Sequence, residues 1–248
     1  RGLLPLHDTH EILGEMRLFK SEAEIDRMRK AAQISARAHC EIMARVKPGI
    51  TEYQVEALLE YVFLDSGAER NAYGSIVAGG ANATVLHYHE NNKPLVDGDL
   101  LLIDAGSEID FYASDITRTF AINGKMSPAQ RELYDITLKV QLECLRMARP
   151  GATMAGIHAF AVDALTDAMI ALKLLDGDRR QLVDTLAYKR YYPHGTGHYL
   201  GMDVHDAGLY QRNGEPRKLE VGMAFTVEPG FYVLADDTKA PEKYRGIG

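Results

Sequence analysis

Apolar residues recur with a helical period in two neighbouring stretches of the first half of the chain. The first stretch opens at a predicted capping box, Ser21–Glu24, and stops at Pro48-Gly49. The second opens at the matching pair Thr51 and Gln54, and Gly67 marks its predicted end. The pattern therefore predicts two consecutive helices joined by a short turn.

The same order returns about a hundred residues later. Ser127–Gln130 opens a third predicted helix, Pro150-Gly151 ends it, and Thr153 starts a fourth. The joints themselves are alike, because the sequence KPGIT at 47–51 is echoed by RPGAT at 149–153.

The stretches that follow the two helix pairs are also alike. VDGDLLLIDAG at 96–106 aligns without a gap with EVGMAFTVEPG at 220–230, which matches Asp104 with Glu228. A period this long is unlike a solenoid repeat. The sequence predicts an α+β fold made of two pseudo-symmetric helix-helix-strand halves, which face each other across one curved antiparallel sheet.

Acidic residues end or begin the predicted strands. Asp104 ends an apolar run, and Asp115 begins the alternating segment ITRTF, with a predicted hairpin between them. Two carboxylates on adjacent strands repel each other unless a cation lies between them. The alternative is a loop acid and a strand-end acid that are satisfied by Arg118. Glu228 precedes Pro-Gly, where an acid is usually a turn residue, so its significance rests on the match to Asp104.

Histidines are concentrated in one segment. Three of the nine, His194, His198 and His205, lie within twelve residues, and glycines flank the first two. Glycine permits close approach of backbone and ligand, which favours a functional site over structural histidines. His87 is a fourth candidate. Three carboxylates with an imidazole form an oxygen-rich set suited to two adjacent manganese, cobalt or iron ions and to metal-assisted hydrolysis.

The composition bears on the partners and the cellular location of the protein. The 28 basic and 35 acidic residues give a formal charge of -7, which argues against a nucleic-acid partner. No apolar run approaches a membrane span of roughly 20 residues. Cys40 and Cys144 fall in helical patterns and are predicted to be buried thiols, which suits a cytoplasmic location. Residues 1–19 show no clear element and are predicted to be a linker from an upstream domain.

Five motifs in order resemble the pita-bread metallopeptidases, and within them the bacterial aminopeptidase P group. They are IDAG, SDITRTF, HGTGHYLGMDVHDAG, TVEPGFY and the final YRGIG. The resemblance runs from about Met16 to the last residue. It makes residues 20–248 the catalytic domain, and it implies a site with two divalent metal ions. Mn²⁺ is expected there, with Co²⁺, Fe²⁺ or Zn²⁺ as alternatives.

The resemblance also assigns roles to individual residues. It implies that Asp104, Asp115, His198 and Glu228 are the metal ligands and that Glu228 also carries a proton to the leaving nitrogen. It implies that His87 and His205 orient the substrate and stabilise the tetrahedral intermediate. By the same resemblance His194 lines the pocket for the proline ring, and Tyr232 is a further candidate for substrate contact.

The implied activity is that of an Xaa-Pro aminopeptidase, in which a hydroxide activated by two metals attacks the bond before proline in short peptides. A prolidase, which cleaves only dipeptides, is the nearest alternative; a metal-free hydrolase or a peptide-binding module with this fold is another. Members of the family carry an N-terminal domain and a last bridging glutamate beyond YRGIG. We therefore expect a longer natural protein, homo-oligomeric when full length, in which the catalytic domain continues past Gly248 into its last strands.

Overall fold

The computed structural model of the protein describes residues 9–248, apart from the side chains of residues 10 and 11. Helices and short antiparallel strands alternate along this range, as expected for an α+β fold. The helices are α1 (Thr9–Leu18), α2 (Glu22–Arg45), α3 (Glu52–Asp65), α4 (Pro128–Met147), α5 (Met154–Ala171) and α6 (Arg179–Asp184). The strands are β1 (Arg70–Asn71), β2 (Ile76–Gly79), β3 (Leu100–Asp104), β4 (Ser107–Ile109), β5 (Tyr112–Ala113), β6 (Thr117–Ala121), β7 (Gln211–Arg212) and β8 (Glu215–Pro216).

Local capping explains where the four long helices begin. Both halves of a capping box are present at Ser21–Glu24, at Thr51–Gln54 and at Ser127–Gln130. The hydroxyl of Thr153 accepts the N–H of Gly156 at the start of α5. These contacts satisfy amide groups that a helix start leaves without partners, and they confirm the four predicted starts.

The beginning of the chain differs from the prediction. Residues 9–18 form helix α1 instead of an element-free linker, while residues 1–8 lie outside the described range. Helix α1 packs closely on the later half of the chain, since a Cβ added at Gly14 would lie 3.3 Å from the amide nitrogen of Gly208. Its stability comes from these tertiary contacts, which a reading of local pattern does not detect.

The duplication is visible in the backbone hydrogen bonds. In the first half the N–H of Gly49 donates to the carbonyl of Leu95 (2.8 Å), and in the second the N–H of Gly151 donates to that of Leu219 (2.9 Å). Both glycines adopt a left-handed φ, +94° and +91°. Each joint between two helices is therefore tied to the strand segment of its own half in the same way.

Strand geometry is more regular in the first half of the chain than in the second. In the first half β3 pairs with β2 on one side and β6 on the other. In the second half the segments 196–200 and 224–228 lie antiparallel and share hydrogen bonds, such as Glu228 N–H to the carbonyl of Thr196 (2.8 Å). The strand predicted around Glu228 is thus an extended, paired segment without regular strand geometry in the described chain. Glu228 faces Thr196 as Asp104 faces Ile76.

Each half has its own apolar core. Helices α2 and α3 bury Val55, Leu59 and Phe63 against β2 and β3, and α4 and α5 bury a separate cluster that includes Leu165 and Tyr192. Among the described residues, α5 alone is long and apolar enough to cross a membrane by length and composition. Its apolar residues, however, pack into the second core.

One of the two predicted buried thiols is placed differently by the structure. Cys144 is buried in the second core, but Cys40 is exposed. The buried positions of α2 are Ala31, Ile34, Ser35, Ala38, His39 and Ile42. Cys40 lies one residue beyond His39 and faces solvent.

Candidate metal centre

The first-half carboxylates are positioned by the β3–β6 pair. Asp104 is the last residue of β3 and pairs with Thr117, the first of β6, while Asp115 precedes that strand by two residues. The chain between them turns through the hairpin of β4 and β5. Gly106 makes this turn possible, because a Cβ there would lie 1.8 Å from the carbonyl oxygen of Ser114. The predicted hairpin is confirmed.

Residues from both halves meet at the centre of the molecule. Nε2 of His198 lies 3.2 Å from Oδ2 of Asp115 and 3.3 Å from Oε1 of Glu228. One donor atom from each of the three lies within 4.8 Å of the others. Thr226 holds two of them, because its hydroxyl donates to Glu228 (2.6 Å) and accepts the N–H of His198 (2.9 Å).

Asp104 joins this cluster through a tyrosine. The hydroxyl of Tyr73 lies 2.5 Å from Oδ1 of Asp104 and 3.1 Å from Oδ1 of Asp115. The phenol therefore ties the two first-half carboxylates together. Burial raises the pKa of Tyr73 well above its usual value, and the two acids raise it further, so the phenol keeps its proton and remains the donor.

The charges of the cluster are not balanced by the protein alone. Burial raises the pKa of Asp104 to about 7, and repulsion from Asp115 and Glu228 adds to the effect. Burial lowers the pKa of His198, but its hydrogen bonds to Asp115 and Glu228 outweigh this and raise it to about 10. The proton on His198 thus supplies a positive charge among acids that would otherwise repel one another.

The donor set suits hard divalent cations. Three carboxylates and one imidazole nitrogen converge, and neither of the two cysteines belongs to the cluster. Burial and the neighbouring acids raise the pKa of Asp104, and a bound divalent cation would relieve that repulsion. The residues present therefore fit the divalent ions that the sequence predicts, with Asp115, His198 and Glu228 directly convergent.

Two of the remaining candidate histidines lie against the cluster. The rings of His205 and His198 meet edge to face with 4.2 Å between centroids. The ring of His194 lies edge-on to Tyr192 (5.1 Å) and to Tyr232 (5.3 Å). Nε2 of His194 is buried without a hydrogen-bond partner among the described residues, so it is free to bind a ligand.

His87 lies on a separate loop with an unusual backbone. Its φ is +54°, its side chain is exposed, and its ring stacks on His89 at 6.5 Å. The next residue, Tyr88, donates from its hydroxyl to the fully buried carboxylate of Glu52 (2.8 Å). Burial is the largest cause of the lowered pKa of His194, and repulsion from His87 is a smaller one, so the loop lies within electrostatic reach of His194. In the described residues, His87 forms no hydrogen bond or ion pair with Asp104, Asp115 or Glu228.

Arg118 is not a counter-ion for Asp104 or Asp115 in the described part of the chain. It is exposed, and its guanidinium donates to the carbonyl oxygen of the neighbouring Thr117 (2.8 Å). In the described part of the chain it forms no ion pair with Asp104 or Asp115. The alternative in which Arg118 satisfies these acids is therefore wrong.

The sequence alone did not reveal Tyr73 and Thr226. Tyr73 lies in the segment between β1 and β2, outside every motif, and only the folding of that segment beside β3 brings it to the acids. Thr226 had a usable signal. It lies two residues before Glu228 in an extended segment, and alternation places such residues on the same face.

Comparison with known proteins agrees with this site. Residues 26–248 match Metallopeptidase family M24. The chain is 45% identical to the Xaa-Pro aminopeptidase of Haemophilus influenzae and 44% identical to that of Escherichia coli, over 97% of its own length in both. The structure of Pseudomonas aeruginosa aminopeptidase PepP superposes with a TM-score of 0.93 at 50% identity and covers 96% of this chain.

The matches cover nearly all of this chain but only part of each relative. The chain spans about half the length of the curated relatives it matches, 56% and 54% for the two aminopeptidases, and 54% of the PepP chain. Within that span the whole described fold is shared, and the predicted pita-bread architecture is confirmed. Because the family match covers most of the chain, from the second turn of α2 to its last residue, this protein belongs to metallopeptidase family M24.

Proposed function

We propose that this chain is the catalytic part of a metal-dependent aminopeptidase that hydrolyses the bond between an N-terminal residue and a following proline. The convergence of Asp115, His198 and Glu228 within 4.8 Å, drawn from both halves of the molecule, carries the proposal. The Xaa-Pro aminopeptidases to which the chain is 44–45% identical support the choice of substrate.

Asp104, Asp115, His198 and Glu228 would hold the divalent ions. When bound, a pair of such ions supplies an acidified water and a Lewis acid for the scissile carbonyl. Tyr73 and Thr226 keep the carboxylates oriented, since each donates a hydrogen bond to at least one of them. Glu228 would accept a proton and pass it to the leaving nitrogen.

The histidines around the cluster handle the substrate. His205, in ring contact with His198, would donate a hydrogen bond to the oxyanion of the tetrahedral intermediate, and His87 would orient the peptide from its loop. The aromatic wall of His194 and Tyr232 offers a rigid apolar surface for a proline ring, and Nε2 of His194, which has no hydrogen-bond partner among the described residues, would bind a polar group of the peptide.

We also propose Mn²⁺ as the working ion, a cytoplasmic location and a homo-oligomer for the full-length protein. The oxygen-rich donor set supports manganese over zinc, which favours sites richer in nitrogen and sulfur. Reconstitution of metal-free protein with each ion in turn tests this choice. Equal turnover with Zn²⁺ alone would contradict it.

A set of three matched peptides tests the activity. Full-length protein with Mn²⁺ should release the first residue from Ala-Pro-Ala, leave Ala-Ala-Ala intact, and lose its activity when a chelator removes the metal. Cleavage of the dipeptide Ala-Pro without cleavage of Ala-Pro-Ala would identify a prolidase. Activity that survives chelation would contradict the metal site, and binding without cleavage would identify a peptide-binding module.

A further inference from the structure

A buried ion cluster lies directly beside the proposed oxyanion histidine. Asp206, the residue after His205, accepts a hydrogen bond from Nζ of Lys20 at 3.0 Å, and both side chains are only 1% exposed. The second carboxylate oxygen of Asp206 pairs with Arg17, which also pairs with Asp203 at 2.7 Å. Both oxygens of Asp206 are thus fixed by cations that come from the start of the chain.

The backbone around this cluster leaves little freedom. The N–H of Asp206 donates to the carbonyl of Tyr199 (2.9 Å), and the N–H of Lys20 donates to that of Gly222 (2.8 Å). A Cβ at Gly201 would lie 2.1 Å from Oδ2 of Asp206 and 2.9 Å from Cε of Lys20. The packing therefore admits only glycine at 201 and holds the ion pair against the turn that carries His205.

His205 itself has no comparable anchor. Its side chain is exposed, and among the described residues its ring makes no hydrogen bond, only the ring contact with His198. The position of the imidazole is then set by its own backbone, and the backbone is set by Asp206. A buried ion pair contributes little net stability, but it fixes one arrangement of the groups that it joins.

We propose that Asp206 is a positioning residue for His205, and that Lys20 and Arg17, which lead into helix α2, act through it. This inference rests on the proposed function, because His205 matters only if an oxyanion forms beside it. It also makes Arg17 and Lys20 part of the catalytic arrangement, although neither contacts the cluster of metal ligands among the described residues.

A double-mutant cycle tests the proposal in full-length, metal-loaded protein. Lys20→Met should lower kcat about 10- to 100-fold with a small change in KM, the size expected when a catalytic group is displaced by about 1 Å. In the His205→Ala background the same change should have almost no further effect, because the group being positioned is gone. Lys20→Arg should restore most of the activity. An equal loss from Lys20→Met with and without His205 would overturn the proposal.

A matched control distinguishes the positioning of His205 from a general loss of the packing of helix α1. Glu15 pairs with the buried Arg217 and also ties α1 to the later half of the chain, but it does not contact Asp206. Glu15→Gln should therefore leave kcat within about twofold of the parent protein. A loss as large as that of Lys20→Met would show that α1 acts only as a structural support.

A second measurement does not depend on activity. In metal-free protein labelled at histidine with ¹⁵N, Lys20→Met should shift or broaden the side-chain signal of His205, assigned by its absence in His205→Ala. The signal of the buried His39, which contacts the carbonyl of Ala105, should stay in place. An unmoved His205 signal would overturn the positioning role even if the parent protein failed to cleave Xaa-Pro peptides, a failure that concerns the proposed function alone.

Discussion

Single residues decide whether the central cluster can bind a cation. Asp115 faces both His198 and Tyr73, so it links the second-half donors to the first-half pair. We expect Asp115→Ala to abolish metal uptake and turnover together, since it removes a donor from the centre of the set. Metal content of the purified protein and peptide release measure the two effects. Asp176→Ala, at an exposed position, is the control and should change neither. Retained turnover in Asp115→Ala would refute the role.

The charge state of Asp104 gives a pH-dependent prediction for metal-free protein. Its folded-state pKa is about 7, against roughly 3.9 in an unfolded chain, so the folded form holds a proton that the unfolded form has lost. The free energy of unfolding should therefore fall as pH rises from about 4 to 7, on the order of 3 kcal/mol. Urea unfolding across this range measures the slope.

Asp104→Asn is the matched variant for that measurement, because an amide of the same shape carries no charge at any pH. Its stability curve should be flatter between the two pH values than that of the parent. If both proteins lose stability equally, the raised pKa of Asp104 is not the source of the slope.

At the scale of single residues, the charged residues of the central cluster could be found in the sequence. Most of the residues that hold them in position could not. Acids at strand ends and histidines among glycines are visible in the printed chain, and the family resemblance then identified Asp104, Asp115, His198 and Glu228 as the expected metal ligands. Tyr73 and Lys20 were not identified, since each acts through a contact between distant segments, and Thr226 was overlooked although alternation places it on the same face as Glu228. Arg118 was a plausible counter-ion by position, but its side chain folds back on its own backbone.

At the scale of elements, the two helix joints offer a matched pair. Gly49 and Gly151 hold φ values of +94° and +91° and donate equivalent hydrogen bonds. We expect Gly49→Ala and Gly151→Ala each to cost about 1–2 kcal/mol of stability, because a side chain is strained in this conformation. Neither glycine has an atom near its missing Cβ, so crowding adds nothing. Chemical denaturation of both variants measures the cost.

Gly156→Ala serves as the contrasting substitution. Gly156 lies inside α5, where alanine is the better helix former, although a Cβ there would lie 3.1 Å from Oγ1 of Thr153. We expect a smaller cost than at either joint. A loss at Gly49 or Gly151 no larger than at Gly156 would show that their left-handed backbone is not what matters.

The sequence predicted the helices whose starts are fixed by nearby capping residues. It did not predict the elements that are stabilised by contacts with distant parts of the chain. The starts of α2 to α5 follow from caps that lie within four residues of one another. Helix α1 is held by contacts of Arg17 and Gly14, whose partners lie about 190 residues away. The second-half segment around Glu228 has a strand-like pattern, but it pairs along one side by a few bonds only.

At the scale of the whole molecule, acidic residues from both halves meet around His198. Asp115 comes from the first half, and Glu228 with His198 comes from the second. Added Mn²⁺ should therefore raise the thermal midpoint, by an amount equivalent to about 2.7 kcal/mol per site when the free ion is 100-fold above its Kd. Scanning calorimetry at several ion concentrations measures the shift. In Asp115→Ala the midpoint should hardly respond, and an undiminished response would place the ion elsewhere.

The meeting of the halves has a consequence for the life of the protein in a cell. A divalent ion held by Asp115 and Glu228 would link the two halves reversibly, and chains without it would open more often to proteases. Scarcity of the ion would then shorten the lifetime of the protein as well as remove the proposed activity. The abundance of the protein would in this way follow the supply of the ion on which its chemistry depends.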